Sequence, residues 1–341
     1  MKRCVFVAVL VLFCAGSAWA DQPVDTTGLT VTAPPWHGDC EWQAKGVFGS
    51  KEEALERKRW HLAEGDAEGA SKDLADFGPE GVDVLVAWLD DGAPRVRDKY
   101  RVRAALHVFR CGDPRDMDVA SEQINWRSAG EVRKMLNALE GRVPRFTPEQ
   151  AAHIASAPDR GVQIAAVRAL IGSFKVQKSV GMGIFFMGFS KTVAVKGSKV
   201  GPPLHHVEAV EELLARHRID ELWHPAVKAI GTLYSYEIPN QDAWFPILLQ
   251  AVRDERLDED GKIGRAAALF IGRGLPERLL EGAKAVLYSE RPDLAASFVG
   301  GLEDSIQKDR WHEDLRTVLE LCVERTSGGA HLEAKRLLRS L

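Results

Sequence analysis

Residues 159–174 read DRGVQIAAVRALIGSF, and parts of this pattern return several times along the chain. Asp159 stands at its start, and the paired Ala165 and Ala166 would let another helix approach closely. Four apolar residues follow one another at positions i, i+3, i+4 and i+7, the spacing of one apolar helix face. These residues are Val167, Leu170, Ile171 and Phe174. The segment therefore predicts an amphipathic α-helix.

Five other segments repeat parts of this design. They are RVRAALHVF (101–109), HPAVKAIGTL (224–233), GRAAALFIG (264–272), DLAASFVGGL (293–302) and LEAKRLLRSL (332–341). Small residues recur in the later segments at Ala226, Ala267, Ala296 and Ala334. The steps between them, roughly 30 to 40 residues, are close to those of repeat units that each contain two helices. The sequence therefore predicts a stack of helical pairs.

The repeated pattern resembles the HEAT-repeat family. The resemblance rests on the second-helix positions Asp159, Val162, Ala165, Ala166, Ala169, Leu170 and Gly172, with weaker matches at Val96, Arg97, Ala104 and Ala105. It covers roughly residues 79–341, although the later units lack the Asp and Arg positions of regular members. The resemblance implies an all-α fold, a right-handed α-solenoid used mostly for protein binding. It transfers no catalytic residue, and we expect an exported bacterial member of this family.

Capping signals and apolar stripes predict where the helices lie. Ser50 with Glu53 and Thr147 with Gln150 have the capping-box pattern, and Pro148 suits a first helical position. One helix is expected from Ser50 to about Glu64, and two more flank DDGAP (90–94). After residue 203 the predicted pairs are 205–217 with 220–234, 241–253 with 260–273, 276–288 with 292–303, and 309–324 with 330–341. The array would span 50–341.

Residues 1–20 have the three zones of a secretory signal. Lys2 and Arg3 precede an apolar run from Cys4 to Ala15, and Ala18-Trp19-Ala20 supplies the small residues of a cleavage site. The competing interpretation is a membrane anchor, but a span needs about 20 apolar residues and this run is shorter. We expect cleavage before Asp21 and a periplasmic or extracellular location. Residues 21–49, rich in Pro and Thr at the start, should form an extended segment or strap.

Charge argues against a nucleic-acid partner. The whole chain has 45 basic and 49 acidic residues, and removal of the signal takes away two basic residues, Lys2 and Arg3, and no acidic one. The mature chain would then carry a formal charge of −6. Broad binding to a phosphate backbone needs a basic face, so nucleic acid is not an expected partner.

Three cysteines remain after the predicted cleavage: Cys40, Cys111 and Cys322. An oxidising compartment permits one disulfide, and Cys40 with Cys111 is the preferred pair because it would tie the N-terminal segment to the first clear helical unit. The alternative is three buried free thiols. Cys322 lies on an apolar helical stripe, where a thiol acts as a small hydrophobic group.

Known catalytic and cofactor motifs are incomplete in this sequence. GMGIFFMG (181–188) lacks the Lys-Ser/Thr of a phosphate loop. His312 and Glu313 begin like a zinc-protease motif, but Arg316 stands where the second His belongs. We therefore expect no catalytic residue and no cofactor from these motifs.

Two segments have metal-ligand residue types without metal-ligand spacing. In WHGDCEWQ (36–43) packing of the two Trp residues is favoured over metal binding, because no CxxC is present. His205, His206, Glu208 and Glu212 include residues four apart, but His206 and Glu208 point in different directions on a helix. A solvated helix start is favoured there, and we expect no metal site.

Residues 175–204 interrupt the array. The step from Ala166 to Ala226 is well above the other steps, and the segment contains five lysines and no acidic residue. Its Val, Thr and Phe favour strands, so a β-hairpin is predicted from VGMGIFFMGF and TVAVKG, with residues 188–191 between them. The candidate partner-binding residues are Phe185, Phe186, Phe189, Lys191 and Lys196. Such an insertion would contact a partner or an anionic membrane surface; the alternative is a hairpin whose Phe side chains only pack on adjacent helices.

Two classes of function follow from the sequence. The first is an exported scaffold that binds a protein partner through its helical surface and the 175–204 insertion. The second is an enzyme or small-ligand binder whose site is built from dispersed residues, which a pocket with convergent polar groups would favour.

Overall fold

The structure is a computed structural model, and it is mostly α-helical. It describes residues 19, 23–31, 40, 49–140, 142–172, 175–179, 190–194, 202–216, 220–234, 241–254, 260–274, 278–289, 291–307 and 314–341. The predicted all-α class is confirmed for these residues. The chain divides into two compact units, Met1–Val195 and Lys196–Leu341. Across the described ranges, every helix is too short or too polar to serve as a membrane span.

The first unit has eight α-helices among its described residues. They are α1 (Lys51–Ala63), α2 (Ala67–Asp73), α3 (Pro79–Asp90), α4 (Asp98–Cys111), α5 (Met117–Glu122), α6 (Ala129–Ala138), α7 (Pro148–Ala155) and α8 (Arg160–Ile171). Both predicted capping boxes are formed. The Ser50 side chain accepts a hydrogen bond from the backbone N–H of Glu53, and Thr147 accepts one from Gln150. The predicted starts of α1 and α7 are therefore confirmed.

The second unit also has eight α-helices among its described residues. They are α9 (Leu204–Arg216), α10 (Asp220–Tyr234), α11 (Phe245–Arg253), α12 (Lys262–Gly274), α13 (Leu279–Leu287), α14 (Pro292–Gln307), α15 (Leu315–Arg325) and α16 (Gly328–Ser340). The helices predicted after residue 203 are confirmed, most to within a few residues. The largest difference is at α15, which begins at Leu315; residues 308–313 lie outside the described residues.

Within each unit, helices contact their neighbours in two rows. In the second unit α10, α12, α14 and α16 contact one another in succession, and α11, α13 and α15 do the same. In the first unit α2, α4, α6 and α8 form one such row, while α1, α3 and α5 form the other. Adjacent helices such as α3 and α4, or α11 and α12, also pack together and join the rows. Most tertiary packing is thus local along the sequence.

Helix α8 carries the pattern of residues 159–174. The Asp159 carboxylate accepts a hydrogen bond from the backbone N–H of Val162 at 2.9 Å, which caps the start of the helix. Gly172 ends it in the left-handed conformation, with φ 72°. Leu170 is 1% exposed, and Phe174 lies outside the described residues. The other predicted contact residues are also buried: Ala165, Ala166, Val167 and Ile171.

The N-terminal segment crosses the first unit as a short strand. Strand β1 (Thr30–Val31) pairs antiparallel with β2 (Pro144–Arg145), and Leu29 just before it is buried. The Gln150 amide donates to the backbone oxygens of Asp25 at 2.9 Å and Thr27 at 3.1 Å. These contacts hold residues 23–31 against the first unit as a strap.

Cys40 and Cys111 form a disulfide, with their Cα atoms 5.5 Å apart. The predicted pair is therefore present, and three free thiols are excluded. Since the bond joins residues 71 apart in sequence, it restricts the unfolded chain strongly. Cys322 is free and buried, and burial raises the pKa of its thiol to about 12. The remaining residues of 36–43 lie outside the described residues.

The inserted segment contains a β-hairpin. Strand β3 (Lys175–Ser179) pairs antiparallel with β4 (Ser190–Ala194). The second predicted strand is confirmed at residues 192–194, whereas β3 lies before the first predicted strand. The predicted turn was wrong in position, because Ser190 and Lys191 lie in β4 opposite Ser179 and Lys178. Pairing with β3 sets the register of β4, and the residue types of a single strand do not specify that register. Residues 180–189 lie outside the described residues.

Helices α12 and α14 cross at two glycines. A Cβ atom on Gly301 would lie 2.2 Å from the backbone oxygen of Leu269 and 3.0 Å from the Cα of Gly272. A Cβ on Gly272 would lie 2.4 Å from the backbone oxygen of Phe298. All three obstacles are backbone atoms, which cannot move aside as a flexible side chain can. The close approach of these two helices therefore requires glycine at both positions.

Replacing each of two adjacent glycines on α14 with alanine should change the free energy of unfolding in opposite directions. Gly301→Ala should lower the free energy of unfolding of the second unit by about 1–3 kcal/mol, because the added methyl group separates the helices. Gly300→Ala is the matched control, since a Cβ there meets no atom within 4 Å. It should raise stability by about 0.5–1 kcal/mol through helix propensity. Urea denaturation followed by circular dichroism measures both, and equal effects would contradict the close crossing.

Candidate binding site

A buried histidine in the first unit is the centre of the most distinctive polar arrangement that the structure describes. Helix α7 begins at the capping box of Thr147 and Gln150, with Pro148 at its first position. This fixed start places His153 in the last turn of the helix, where it is 3% exposed. The ring of Trp126 meets the His153 ring edge-on, with centroids 6.2 Å apart. One wall of a slot is thus formed by two aromatic side chains.

Trp19 fills this slot. Its ring stacks on the His153 imidazole with centroids 4.8 Å apart and planes inclined by 16°. Its indole Nε1–H donates to the His153 backbone oxygen at 2.9 Å. The Trp19 side chain is buried, although the residue lies before the predicted cleavage point. The slot therefore holds an indole by stacking and by one directed hydrogen bond.

The hydrogen bonds of His153 define its protonation. Its Nε2 lies 2.8 Å from the backbone oxygen of Trp126. A carbonyl oxygen only accepts, so Nε2 carries the hydrogen and Nδ1 is an acceptor in the neutral ring. Nδ1 is buried and has no hydrogen-bond partner among the described residues. Burial lowers the pKa of His153, against the opposing effect of the Trp126 carbonyl.

The lowered pKa of His153 gives a pH-dependent stability. Above about pH 6.5 the ring is neutral in both states, whereas at lower pH the unfolded chain binds a proton that the folded chain resists. Stability should therefore fall as the pH drops from 6.5 toward the folded pKa, by up to about 1.4 kcal/mol per pH unit. His153→Gln keeps a donor for Trp126 and does not titrate. Denaturation of chain 1–341 at pH 7 and 5 should show a smaller loss in this variant, and an equal loss would contradict the assignment.

A second buried polar group is Arg142. Its Nη1 donates to the backbone oxygens of Phe109 at 3.2 Å and Arg110 at 2.8 Å, and its Nη2 donates to Gly112 at 2.6 Å. These carbonyls lie at the C-terminal end of α4, where helix carbonyls lack partners and carry partial negative charge. Burial lowers the pKa of Arg142 to about 10, opposed by the nearby Asp113 and Asp116. The guanidinium caps the helix beside the disulfide; this role is structural.

The predicted partner-binding residues are described only in part. Lys191 lies in β4, and the register places its Cα opposite that of Lys178. Phe185, Phe186, Phe189 and Lys196 lie outside the described residues, so their roles stay predictions.

The segment from His205 to Glu212 differs from its prediction. His206 is 1% exposed, so a solvated helix start was wrong at this residue. It shares the buried face of α9 with Val210 and Leu213, at positions i, i+4 and i+7. Glu212 forms an ion pair with Arg216. Among the residues that the structure describes, no group of three or more His, Cys, Asp or Glu side chains is placed to hold a metal.

Sequence reasoning did not identify His153, Arg142 or Trp19. Trp19 was assigned only to the cleavage region of the signal, and Arg142 follows α6 as one basic residue among many. His153 carried a weak signal, because Gln150 and Ile154 beside it lie on the interior side of a well-marked helix. A polar residue at an interior helical position is a reason to look for a buried partner.

No protein-family model, no curated protein and no solved structure matches this chain. The resemblance to HEAT repeats stays a prediction from the residues that carry it.

Proposed function

We propose that this chain is an exported protein-interaction scaffold, a right-handed α-solenoid of HEAT-like hairpins that binds a protein partner. The observation that carries the proposal is the packing of helices in two rows within each unit. Rows of helices that pack on near neighbours in sequence form extended surfaces, and such surfaces commonly bind proteins.

Export is supported by two independent features. Residues 1–20 have the zones of a secretory signal. The Cys40–Cys111 disulfide is typical of proteins that fold in an oxidising compartment. Both features favour a working location in the periplasm or outside the cell.

The β3–β4 hairpin is the proposed contact element. Residues 175–204 contain five lysines and no acidic residue, on a chain whose net charge is negative. The strands include Lys175, Lys178 and Lys191. A local basic segment on an acidic protein favours an acidic partner surface, because complementary charge steers association and selects among partners. Insertions between repeat units often carry the binding function.

Affinity capture tests this proposal. The exported protein is used as bait in an envelope extract, and recovery of one protein in near-stoichiometric amount is the expected result. Replacing residues 178–200 with a short Gly-Ser link should abolish this recovery. The triple variant Lys175→Glu, Lys178→Glu, Lys191→Glu should reduce it at least about tenfold, because three attractive charges become repulsive.

The matched control reverses three exposed lysines elsewhere. These are Lys72, Lys134 and Lys335. The control has the same net charge as the hairpin variant, so it should keep partner recovery close to that of the unaltered protein. If both charge variants lose the partner equally, the interaction depends on net charge alone and the hairpin assignment fails. Binding to anionic vesicles with no protein recovered would also contradict the proposal.

A further inference from the structure

Trp19 has a defined contact site although it precedes the predicted cleavage before Asp21. It is buried against His153, in a slot of the first unit, and removal of residues 1–20 would empty that slot. We propose that the emptied slot binds a tryptophan side chain of a partner polypeptide, and that Trp19 keeps it closed until the signal is removed. The opening step rests on the export proposed above, whereas the binding chemistry does not.

The slot recognises an indole through two features of His153. Its imidazole face stacks on the ring, with 4.8 Å between centroids. Its backbone oxygen accepts the indole N–H at 2.9 Å. A planar ring that carries an N–H donor fits this set, whereas a purely hydrocarbon ring leaves the backbone acceptor without the indole hydrogen bond.

Surrounding contacts hold the slot in place without Trp19. The His153 ring is fixed by the hydrogen bond between Nε2 and the Trp126 oxygen, and Trp126 donates from Nε1 to the Ser121 oxygen at 3.3 Å. The hydroxyl of Ser156 donates to the His153 oxygen at 2.9 Å. Since these groups belong to the folded first unit, the site should keep its shape when the indole leaves.

A polypeptide is the favoured source of the indole. The present occupant is itself a residue of this polypeptide, and the nearby Gln150 amide already binds the backbone oxygens of Asp25 and Thr27. The slot therefore lies beside a surface that accommodates main chain. Since the present indole is carried on a peptide backbone, a tryptophan of a partner polypeptide would present the same ring to the slot.

The test compares the full chain 1–341, held in mild detergent, with its Trp19→Ala variant. The probe is a short extended peptide with one central tryptophan, and its binding is measured by isothermal titration calorimetry. The variant should bind at least about tenfold more tightly than the unaltered chain, because its slot is open. A peptide with 1-methyltryptophan should bind at least about tenfold more weakly to the variant, because the methyl group removes the N–H donor.

A second variant, a second ligand and a mass measurement complete the test. His153→Gln, added to Trp19→Ala, should weaken binding at least about tenfold, because Gln keeps the bond to Trp126 and removes the stacking face. Equal binding by the full chain and Trp19→Ala would overturn the proposal, whatever the result of partner capture. If N-acetyltryptophanamide binds as tightly as the peptide, the conclusion that the indole belongs to a partner polypeptide is wrong. If the intact mass of the exported protein shows that it still includes Trp19, signal removal does not open the slot.

Discussion

Replacing Arg142 with methionine is expected to lower the free energy of unfolding by about 3–5 kcal/mol. The guanidinium donates to three backbone oxygens at the end of α4, and methionine fills similar space without any donor. The carbonyls of Phe109, Arg110 and Gly112 would then lose these hydrogen bonds inside the protein. The free energy of unfolding of Arg142→Lys should lie between those of the unaltered protein and Arg142→Met, because one compact ammonium group cannot reproduce the hydrogen bonds of the planar guanidinium. Chemical denaturation under oxidising conditions measures these differences.

Arg103→Met is the matched control for this prediction. Arg103 is on the same helix, α4, but its side chain is exposed. The control should change stability by no more than about 0.5 kcal/mol, as most exposed substitutions do. If Arg142→Met and Arg103→Met have equal small effects, the buried guanidinium does not cap α4.

Leu170→Ala is expected to cost about 2–5 kcal/mol of the stability of the first unit. Leu170 is 1% exposed, and α8 packs on α6 and α7. Truncation removes buried methyl groups and leaves a cavity that the surrounding helices fill only in part. The loss is measured by denaturation of the variant and the unaltered chain at the same pH.

Arg168→Ala, two residues earlier on α8, provides the comparison. Arg168 is exposed, so its truncation should change stability by no more than about 0.5 kcal/mol. Both substitutions place alanine in the same helix, so their difference isolates the apolar contact of Leu170. A loss as large for Arg168→Ala as for Leu170→Ala would mean that the apolar face of α8 was assigned incorrectly.

Local signals in the sequence predicted most of the helical architecture. Capping residues such as Ser50 and Thr147 and the apolar stripe of 159–174 act within a few residues, so they can be read without knowledge of the fold. The same applies to the Cys40–Cys111 pair, because few cysteines were available. The helix signals depend on residues close together in sequence, and three cysteines allow few disulfide pairings.

The polar sites could not be predicted, because they depend on contacts between distant residues. Arg142 binds carbonyls 30 to 33 residues earlier, and Trp19 donates to a residue 134 positions later. Neither contact leaves a periodic pattern. The hairpin shows a related limit: its first strand was expected at residues 180–189, where Phe is dense, whereas the described pairing begins at Lys175. Strand propensity depends on context, and the pairing register is set by both strands together.

The scaffold proposal depends most directly on helices that pack as a row of near neighbours. Native-state hydrogen exchange on Leu170→Ala, followed by mass spectrometry of peptides, tests this. Protection should fall first in α8 and in α6 and α7, which both contact it, and should be unchanged in α11 to α16. A uniform loss of protection across all sixteen described helices would contradict an array of locally packed units, and with it the structural basis of the scaffold.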